Sequence, residues 1–313
     1  MAKRFQVLSL GLGLIMSDFK CVALLATLDL PEVKETLRKL AILLKAISVR
    51  VVFEKRTATL MQSAAEDELM VAEFPGVIDL VIVVGGDGSM LSASRELAST
   101  GIPLLGINRG RLGFLTDIYP EEIEEKVPLV VKGEYLCEKR FLLESKIVRD
   151  GVVIETGIAL NDVVFHSGKP LRMLEFELYV DDEFVYSQRS DGLIISTPTG
   201  STAYALSAGG PLLFPELDAI VLVPLNPHTL NSRPIALQGA AQIAIRVGYG
   251  NDLVSQITCD GHSDLATEPG DMIRVAKHNH QINLVHSRDN NFYRVCRSKL
   301  SWGSRLGASE KSG

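Results

Sequence analysis

A glycine-rich stretch with a single carboxylate, Gly85-Gly86-Asp87-Gly88-Ser89, is the part of this sequence whose residue types suggest chemistry most directly. Glycines let backbone N–H groups approach phosphate oxygens, and Ser89 is suited to capping a following helix, so Gly85, Gly86, Gly88 and Ser89 form a predicted phosphate cradle. A carboxylate there works against anion binding. Asp87 therefore needs another role, such as holding a metal ion or accepting a proton from a hydroxyl. The alternative is an ordinary strand–helix turn capped by Asp87.

Further polar groups stand in apolar surroundings later in the chain. Asn161-Asp162 follows Ile158-Ala159-Leu160 and precedes Val163-Val164-Phe165. An amide and a carboxylate are costly there unless partnered, and together they could bind both hydroxyls of a ribose. A β-bulge or turn is the alternative interpretation.

The segment from Ser196 to Pro211 is rich in hydroxyl side chains and is broken by Pro198 and Gly200. Ser201 or Thr202 could cap a short helix that ends at Gly209. Such a loop and helix could hydrogen-bond a sugar or phosphate, or could be a plain capped helix.

Another glycine-containing loop follows the predicted strand at 102–106. Its Phe114 could stack on an aromatic ligand and its Asn108 could hydrogen-bond one, or they could serve core packing and a turn.

The surrounding pattern predicts the elements that position these groups. Apolar runs at 21–26, 49–53 and 80–84 are typical of buried strands, and the spacing predicts helices over 31–46 and 57–72. This alternating order predicts a doubly wound, Rossmann-like α/β domain with a parallel sheet, whose carboxyl edge is where ligands bind. After residue 140 the pattern becomes strand-rich with little helical pattern, and the last stretch, from Phe292 to Trp302, has helical spacing.

We therefore predict an α/β domain at residues 1–142, which carries the glycine motif and includes an uncertain extension at 1–19. A β-rich, all-β domain follows at 143–290. Residues 291–313 form a C-terminal segment that returns to the first domain and ends in a disordered tail.

Composition limits the class of protein. The chain has 313 residues, is 46% hydrophobic and 22% charged, and carries a formal net charge of -6, which disfavours a nucleic-acid partner. No apolar run is long enough to cross a membrane. The four cysteines are scattered without metal-ligand or redox spacing, which predicts reduced thiols in the cytoplasm. No protein ligands to a metal are assigned, and the P-loop pattern is absent.

Taken together and in this order, the glycine–aspartate turn, the loop from Gly106 to Asp117, Asn161-Asp162, Asp191-Gly192 and the run Thr197 to Tyr204 resemble the bacterial NAD kinases. The resemblance extends from about residue 21 to 306. It implies transfer of the terminal phosphate of ATP, or of polyphosphate, to the adenosine ribose 2′-hydroxyl of NAD. It also implies Mg²⁺ or a similar divalent ion, and a homodimer or homotetramer.

By this resemblance Asp87 activates the hydroxyl, Gly88 lies against the nucleotide and Phe114 lies near the adenine. Asn161 and Asp162 hold ribose hydroxyls. The remaining NAD-binding residues that it implies are Asp191 on the nicotinamide side, Arg172 and Arg189 near phosphates, and Thr202, Ala203, Tyr204 and Ser207 around the adenine and its ribose, from this or a neighbouring subunit. His262 is the last NAD-binding residue that the resemblance implies, and it is a departure because the family usually carries Gln at that position.

Two other functions fit part of the pattern. A lipid kinase of the diacylglycerol type shares the glycine–aspartate turn, but it would need a membrane-docking face. A non-catalytic NAD(P)-binding regulator would keep the binding residues without phosphoryl transfer. A dehydrogenase is disfavoured because Gly11-Leu12-Gly13 lacks the third glycine of a dinucleotide fingerprint.

Overall fold

The computed structural model describes residues 18–62, 68–110, 113–168, 173–229, 231–250 and 255–303, without the side chains of 263 and 264. The chain divides into two compact units. The first unit takes its described residues from Met1–Ala93, Ile102–Glu138 and Asn283–Gly313, and the second from Ser94–Gly101 and Lys139–Ile282. The predicted extension at 1–19, with its glycine pair, lies almost wholly outside the described residues. At its end Phe19 is buried and stacks on Tyr135 with ring centroids 5.2 Å apart.

Parallel strands flanked by helices build the first unit. Its elements are β1 (Cys21–Ala26), α1 (Pro31–Ala46), β2 (Arg50–Glu54), α2 (Lys55–Met61), β3 (Glu68–Leu69), β4 (Leu80–Gly85), α3 (Asp87–Leu97), β5 (Leu104–Asn108), α4 (Ile123–Val131), the start of β6 (Tyr135–Arg149), the end of β17 (Met272–Ser287) and α6 (Phe292–Lys299). The last residues of α3 fall in the second unit. The strand order is β17-β5-β4-β1-β2-β3, and every neighbouring pair is parallel. The doubly wound α/β class is as predicted, and α6 belongs to this unit.

The glycine motif lies where the order of strands along the chain reverses direction across the sheet. The chain runs outward from β1 to β3 and then returns to β4 on the other side of β1. Ala26 at the end of β1 pairs with Val84, and Gly85 pairs with Asn108 of β5. The carboxyl ends of strands at such a switch point form the crevice in which open α/β sheets bind ligands.

Two local expectations are wrong. The helix expected over 57–72 starts earlier and ends at Met61, because the carboxylate of Glu54 accepts from the N–H groups at the start of α2 and Gln62 turns left-handed at φ 51°. A short strand and a 3₁₀ turn at Val71–Glu73 follow. Ser89 does not cap α3, because the helix already begins at Asp87. The Ser89 hydroxyl instead bonds that of Thr27 at 2.8 Å.

Antiparallel strands build the second unit. Besides parts of β6 and β17, its elements are β7 (Val152–Ala159), β8 (Asp162–His166), β9 (Leu174–Val180), β10 (Glu183–Ser190), β11 (Gly192–Ser196), α5 (Tyr204–Ser207), β12 (Ala219–Leu225), β13 (Ile235–Gln238), β14 (Ile243–Val247), β15 (Ser255–Cys259) and β16 (His262–Thr267). One sheet has the order β13-β12-β11-β8-β15-β16, and the other contains β10-β9-β14-β17. Their apolar faces share one core, where Phe165 of β8 meets Phe176 of β9 edge-on at 5.6 Å. The unit is β-rich, as predicted.

Candidate functional site

Asp87 is the first residue of α3, and its carboxylate is held by the loop that follows β5. Oδ2 accepts the N–H of Phe114 at 2.8 Å. Oδ1 accepts the N–H of Leu115 at 3.1 Å and the hydroxyl of Thr116 at 3.4 Å. Each carboxylate oxygen has about two lone-pair directions, so Oδ2 keeps one for a further donor. The carboxylate is thus fixed in direction and still able to accept a proton.

Gly113 makes this arrangement possible. A Cβ at that position would collide with the Asp87 carboxylate and with the Thr116 hydroxyl. The loop can therefore close over the carboxylate only if residue 113 has no side chain. Sequence reasoning missed this residue, although a glycine in a loop that leaves a parallel strand is a weak signal of close backbone approach.

The glycines of the motif differ in what they face. A Cβ on Gly85 would strike the side chain of Ser89, so this glycine is required by packing. Among the described residues, a Cβ on Gly86 or on Gly88 would meet no atom within 4 Å. Open space therefore lies beside both residues at the positive end of α3, which is the environment that binds phosphate oxygens.

The other predicted residues of this unit have protein partners. Phe114 is half-buried, with its ring 6.3 Å from that of Phe292 and 5.1 Å from the Lys299 ammonium nitrogen. Asn108 is fully buried, and its side-chain Oδ1 accepts the N–H of Gly110 at 2.8 Å. That bond is the turn role considered for Asn108 in the sequence.

A cavity of about 700 Å³ opens in the second unit. Its lining consists of Asp162, Val164, His166, Ser167, Gly168, Asp191, Ala203, Tyr204, Leu225, Gln256, Thr258, Asp260 and Gly261. Four of the residues predicted to bind NAD belong to it: Asp162, Asp191, Ala203 and Tyr204. They come from separate stretches of sequence. Asp162 begins β8, Asp191 directly precedes the neighbouring strand β11, and Ala203 and Tyr204 lie at the start of α5.

Alternation along the strands explains the polar groups that sequence reasoning missed. Side chains two apart on a strand share a face, so His166 lies on the same side of β8 as Asp162. Its partner in the register is Gln256 of β15, and Thr258 follows two residues later. The Nδ1 of His166 accepts the N–H of Gly168 at 3.1 Å, so its Nε2 carries the proton and donates to the Thr258 hydroxyl at 2.6 Å. The available signal was Gln256 and Thr258 at alternate positions of β15, with Asp162 and His166 four apart on β8.

Asp162 is buried and lies close to a second carboxylate. The pKa of Asp162 is raised to about 7, mainly by burial and also by the negative charge of Asp260. Within the described part of the chain, neither the Asn161 amide nor the Asp162 carboxyl has a hydrogen-bonding partner. Both side chains are thus available to a ligand, and Asp162 can meet it as a neutral acid near pH 7.

The hydroxyl-rich segment packs on this pair. Gly200 approaches so closely that a Cβ would collide with the carbonyl of Asn161. The predicted caps are wrong: Ala203 is the N-cap of α5, without a side-chain bond. The Ser201 hydroxyl donates to the carbonyl of Pro198 at 2.7 Å and the Thr202 hydroxyl to that of Thr199 at 3.1 Å. These hydroxyls stabilise the preceding turn because that turn leaves its carbonyls close to them.

Several predicted residues do not line the cavity, and one is not described. The first group comprises Asn161, Arg189, Thr202, Ser207 and His262. His262 is exposed, with Nδ1 2.9 Å from the carbonyl oxygen of Asp260, and Asp191 accepts the Asn226 amide at 2.7 Å. Arg172 lies outside the described residues. The ligand roles of all these residues stay predictions.

The described residues contain no group of three or more His, Cys, Asp or Glu side chains that could hold a metal ion. Mg²⁺ usually binds one or two carboxylates together with substrate phosphates, so a nucleotide-borne ion is compatible with this site.

None of the helices described is both long and apolar enough to cross a membrane.

Comparisons with known proteins give matches to both halves of the sequence. The family model for the ATP-NAD kinase N-terminal domain matches residues 22–135, and that for the ATP-NAD kinase C-terminal domain matches 160–287. The NAD kinase of Teredinibacter turnerae is 52% identical over 292 residues, covering 93% of this chain and 100% of the relative. The NAD kinase of Chromohalobacter salexigens is 49% identical with the same coverage.

Solved structures show the same relationship. The crystal structure of yeast NADH kinase complexed with NADH superposes with a TM-score of 0.81 at 25% identity, over 94% of this chain and 91% of that chain. An NAD kinase from Archaeoglobus fulgidus in complex with ATP has a TM-score of 0.68 at 26% identity, over 90% of this chain and 100% of that chain. Since family models match both halves of the sequence and relatives of about half identity span nearly all of it, the chain belongs to the ATP-NAD kinase family.

Proposed function

We propose that this protein transfers the γ-phosphate of ATP to the 2′-hydroxyl of the adenosine ribose of NAD. A bond forms between the ribose oxygen and the γ-phosphorus, and the bond from that phosphorus to the β–γ bridging oxygen breaks. The products are NADP and ADP. The observation that carries the proposal is the cavity of the second unit, lined by four residues that distant motifs had associated with NAD. Relatives that bind NADH and ATP support it.

Asp87 is the proposed acceptor of the hydroxyl proton. Its Oδ2 has a lone pair left after the bond from Phe114, and the other donors fix the direction of the carboxylate. Phosphoryl transfer depends on positioning and charge neutralisation more than on covalent chemistry, and a positioned base adds about 10²–10⁴-fold.

The second unit supplies the proposed NAD-binding groups. Asn161 and Asp162 bind ribose hydroxyls, because an amide and a buried acid can each donate and accept. Ala203 leaves room for the ligand at the cavity wall, and Tyr204, which is 48% exposed, offers an aromatic face to the adenine. Arg172 and Arg189 are proposed for the NAD phosphates, Asp191 for the nicotinamide side, and Thr202, Ser207 and His262 for the neighbouring contacts.

The phosphates of ATP are proposed to lie on the backbone N–H groups of Gly86 and Gly88 at the start of α3. A divalent ion, with Mg²⁺ preferred, would arrive with these phosphates and neutralise their charge. The assembly is proposed to be a homodimer or homotetramer that works in the cytoplasm. Four free cysteines, three of them buried, fit a reducing compartment.

The deciding experiment combines the purified protein with ATP, Mg²⁺ and NAD, and detects NADP with a dehydrogenase that accepts NADP alone. Parallel reactions replace ATP by polyphosphate, or NAD by NADH or by diacylglycerol. NADP that forms only in the presence of a phosphoryl donor supports the proposal. Binding of NAD without NADP formation would instead support a non-catalytic regulator, and phosphorylation of diacylglycerol alone would support a lipid kinase.

A further inference from the structure

Asp260 has no assigned role, yet its carboxylate organises the turn that carries Asn161 and Asp162. The side chain is fully buried. Its Oδ1 accepts the N–H of Asn161 at 2.7 Å and that of Asp162 at 3.3 Å, and its Oδ2 accepts the N–H of Leu160 at 3.0 Å. One carboxylate therefore binds consecutive backbone donors of the turn.

The carbonyl groups of the same turn are held from the other side. Leu160 accepts the hydroxyl of Thr197 at 2.6 Å, and Asn161 accepts the N–H of Thr197 at 2.9 Å. The carbonyl of Asp162 accepts the N–H of Asp260 at 3.0 Å. The backbone of the turn is thus bonded throughout, which leaves the side chains of Asn161 and Asp162 as its groups for a ligand.

A cation balances the charge of this carboxylate. The Nη1 of Arg95 lies 2.8 Å from Oδ2 of Asp260, and the Arg95 side chain is only 19% exposed. A buried carboxylate without a partner would be costly, so the ion pair makes the arrangement possible. Removing either partner changes the net charge close to Asp162.

We propose that Asp260 is a positioning residue that sets the geometry of the Asn161–Asp162 turn. Together with its counter-ion Arg95, it also sets the charge with which Asp162 meets NAD. The second part rests on the proposed function, because it takes NAD as the ligand of the turn. The first part is a statement about the turn alone and is tested without NAD.

Electrostatics supports a specific prediction of direction. After burial, the charge of Asp260 is the second cause that raises the pKa of Asp162. The other titratable groups of the described cavity wall are His166, Asp191 and Tyr204, and Cys259 lies beside Asp260. None of them is substituted in the variants. Loss of the Asp260 charge should lower the pKa of Asp162, and loss of the Arg95 charge should raise it.

The test measures NAD affinity by calorimetry from about pH 5.5 to about pH 8.5. In Asp260→Asn the amide presents an N–H to the backbone donors, so we expect affinity to fall by about tenfold or more. We also expect the inflection of its pH profile to move to lower pH. In Arg95→Gln the inflection should move to higher pH, whereas Arg95→Lys should keep it in place. If Asp260 and Arg95 had only a structural role, their variants would not shift the inflection of the pH profile in opposite directions.

The chain offers a matched control. Asp271 is also a buried carboxylate that accepts a backbone N–H, that of Glu268 at 2.8 Å, and pairs with an arginine, Arg149. It does not line the cavity. Asp271→Asn and Arg149→Gln should lower thermal stability while leaving NAD affinity and its inflection unchanged.

Hydrogen exchange provides the arm that needs no ligand. In Asp260→Asn the amides of residues 160–162 should exchange faster than in the wild type, and those of the control variants should not. If the wild type does not bind NAD, the proposed function is wrong, but the hydrogen-exchange comparison still tests the role of Asp260 in the turn. The inference is overturned if folded Asp260→Asn keeps both exchange and affinity. If that variant does not fold, an unmoved inflection in Arg95→Gln overturns it.

Discussion

At the residue scale, two aspartates of the same chain have opposite surroundings. The carboxylate of Asp87 accepts several donors from one loop. The carboxyl of Asp162 is buried beside another carboxylate, and its pKa is raised to about 7. The donors fix the direction of the Asp87 carboxylate, whereas burial and a neighbouring negative charge favour the neutral form of Asp162. Such a difference suits a proton acceptor and a ligand-binding acid respectively.

The first prediction concerns Asp87→Asn. The amide cannot take up the hydroxyl proton, so we expect kcat for NADP formation to fall by about 10²–10⁴-fold. NAD affinity should remain within a few-fold of the wild type, since the residues that line the cavity of the second unit are unchanged. Steady-state kinetics and calorimetry measure the two quantities, and a near-normal kcat would remove Asp87 from the proton-transfer role.

The second prediction concerns the pH dependence of stability at Asp162. Because its pKa is higher in the folded protein than in the unfolded chain, the wild type loses stability as pH rises between about 4 and about 7. Asp162→Asn removes this loss. Its melting temperature relative to the wild type should therefore be higher at about pH 8 than at about pH 5.

Asp271 gives the contrasting case for this measurement. Burial alone would raise its pKa, but the hydrogen bond from Arg149 and the other bonds of the site lower it. Its stabilising effect is present above the unfolded pKa and is lost as pH falls. Asp271→Asn should therefore be most destabilising at high pH. The same pH trend in both variants would contradict the assignment for Asp162.

At the element scale, the loop after β5 acts on the first residue of α3. Close contact between the loop and the Asp87 carboxylate requires Gly113, since a Cβ there would collide with that carboxylate. The strand β5 leads into this loop, and the helix α3 begins at the residue whose carboxylate the loop contacts. The sequence of β5 or of α3 taken alone does not indicate that the loop after β5 contacts the first side chain of α3.

Gly113→Ala is the prediction that belongs to this loop. The added methyl should displace the Asp87 carboxylate or open the loop, and we expect kcat to fall by about tenfold or more with a smaller change in NAD affinity. Gly110→Ala is the matched control, because among the described residues the nearest atom to its Cβ would be Oδ1 of Asn108, at 3.9 Å. Equal losses in the two variants would show that the loop tolerates no side chain in general, and would defeat the specific role of Gly113.

At the scale of the whole molecule, each unit has a complete core of its own. The first is built on a parallel sheet and the second on two antiparallel sheets. Folding and the proposed requirement for a divalent ion should therefore be separable.

Chelation tests that separation. With EDTA, NADP formation should stop and should return on addition of excess Mg²⁺, because the ion travels with the nucleotide. The melting temperature of the protein without ligands should stay the same within error. A drop in melting temperature on chelation would reveal a structural metal and contradict the prediction.

Sequence alone was sufficient wherever the signal was local or carried by several motifs together. The buried run before Gly85, the proline that opens α1 and the switch from helical to alternating patterns determined the fold class. The motifs determined the family. Local propensity failed over residues 57–72, where Glu54 and the left-handed Gln62 limit the helix to α2.

Only the tertiary structure decided which side chains hold the predicted site residues in place. Asp260 meets Asn161 across 99 positions of sequence, and the loop at Phe114 meets Asp87 across 27. Spacing within a strand or helix says which residues share a face, but it does not say which other element will lie against that face. Strand order and register set those meetings, and they result from packing of the whole chain.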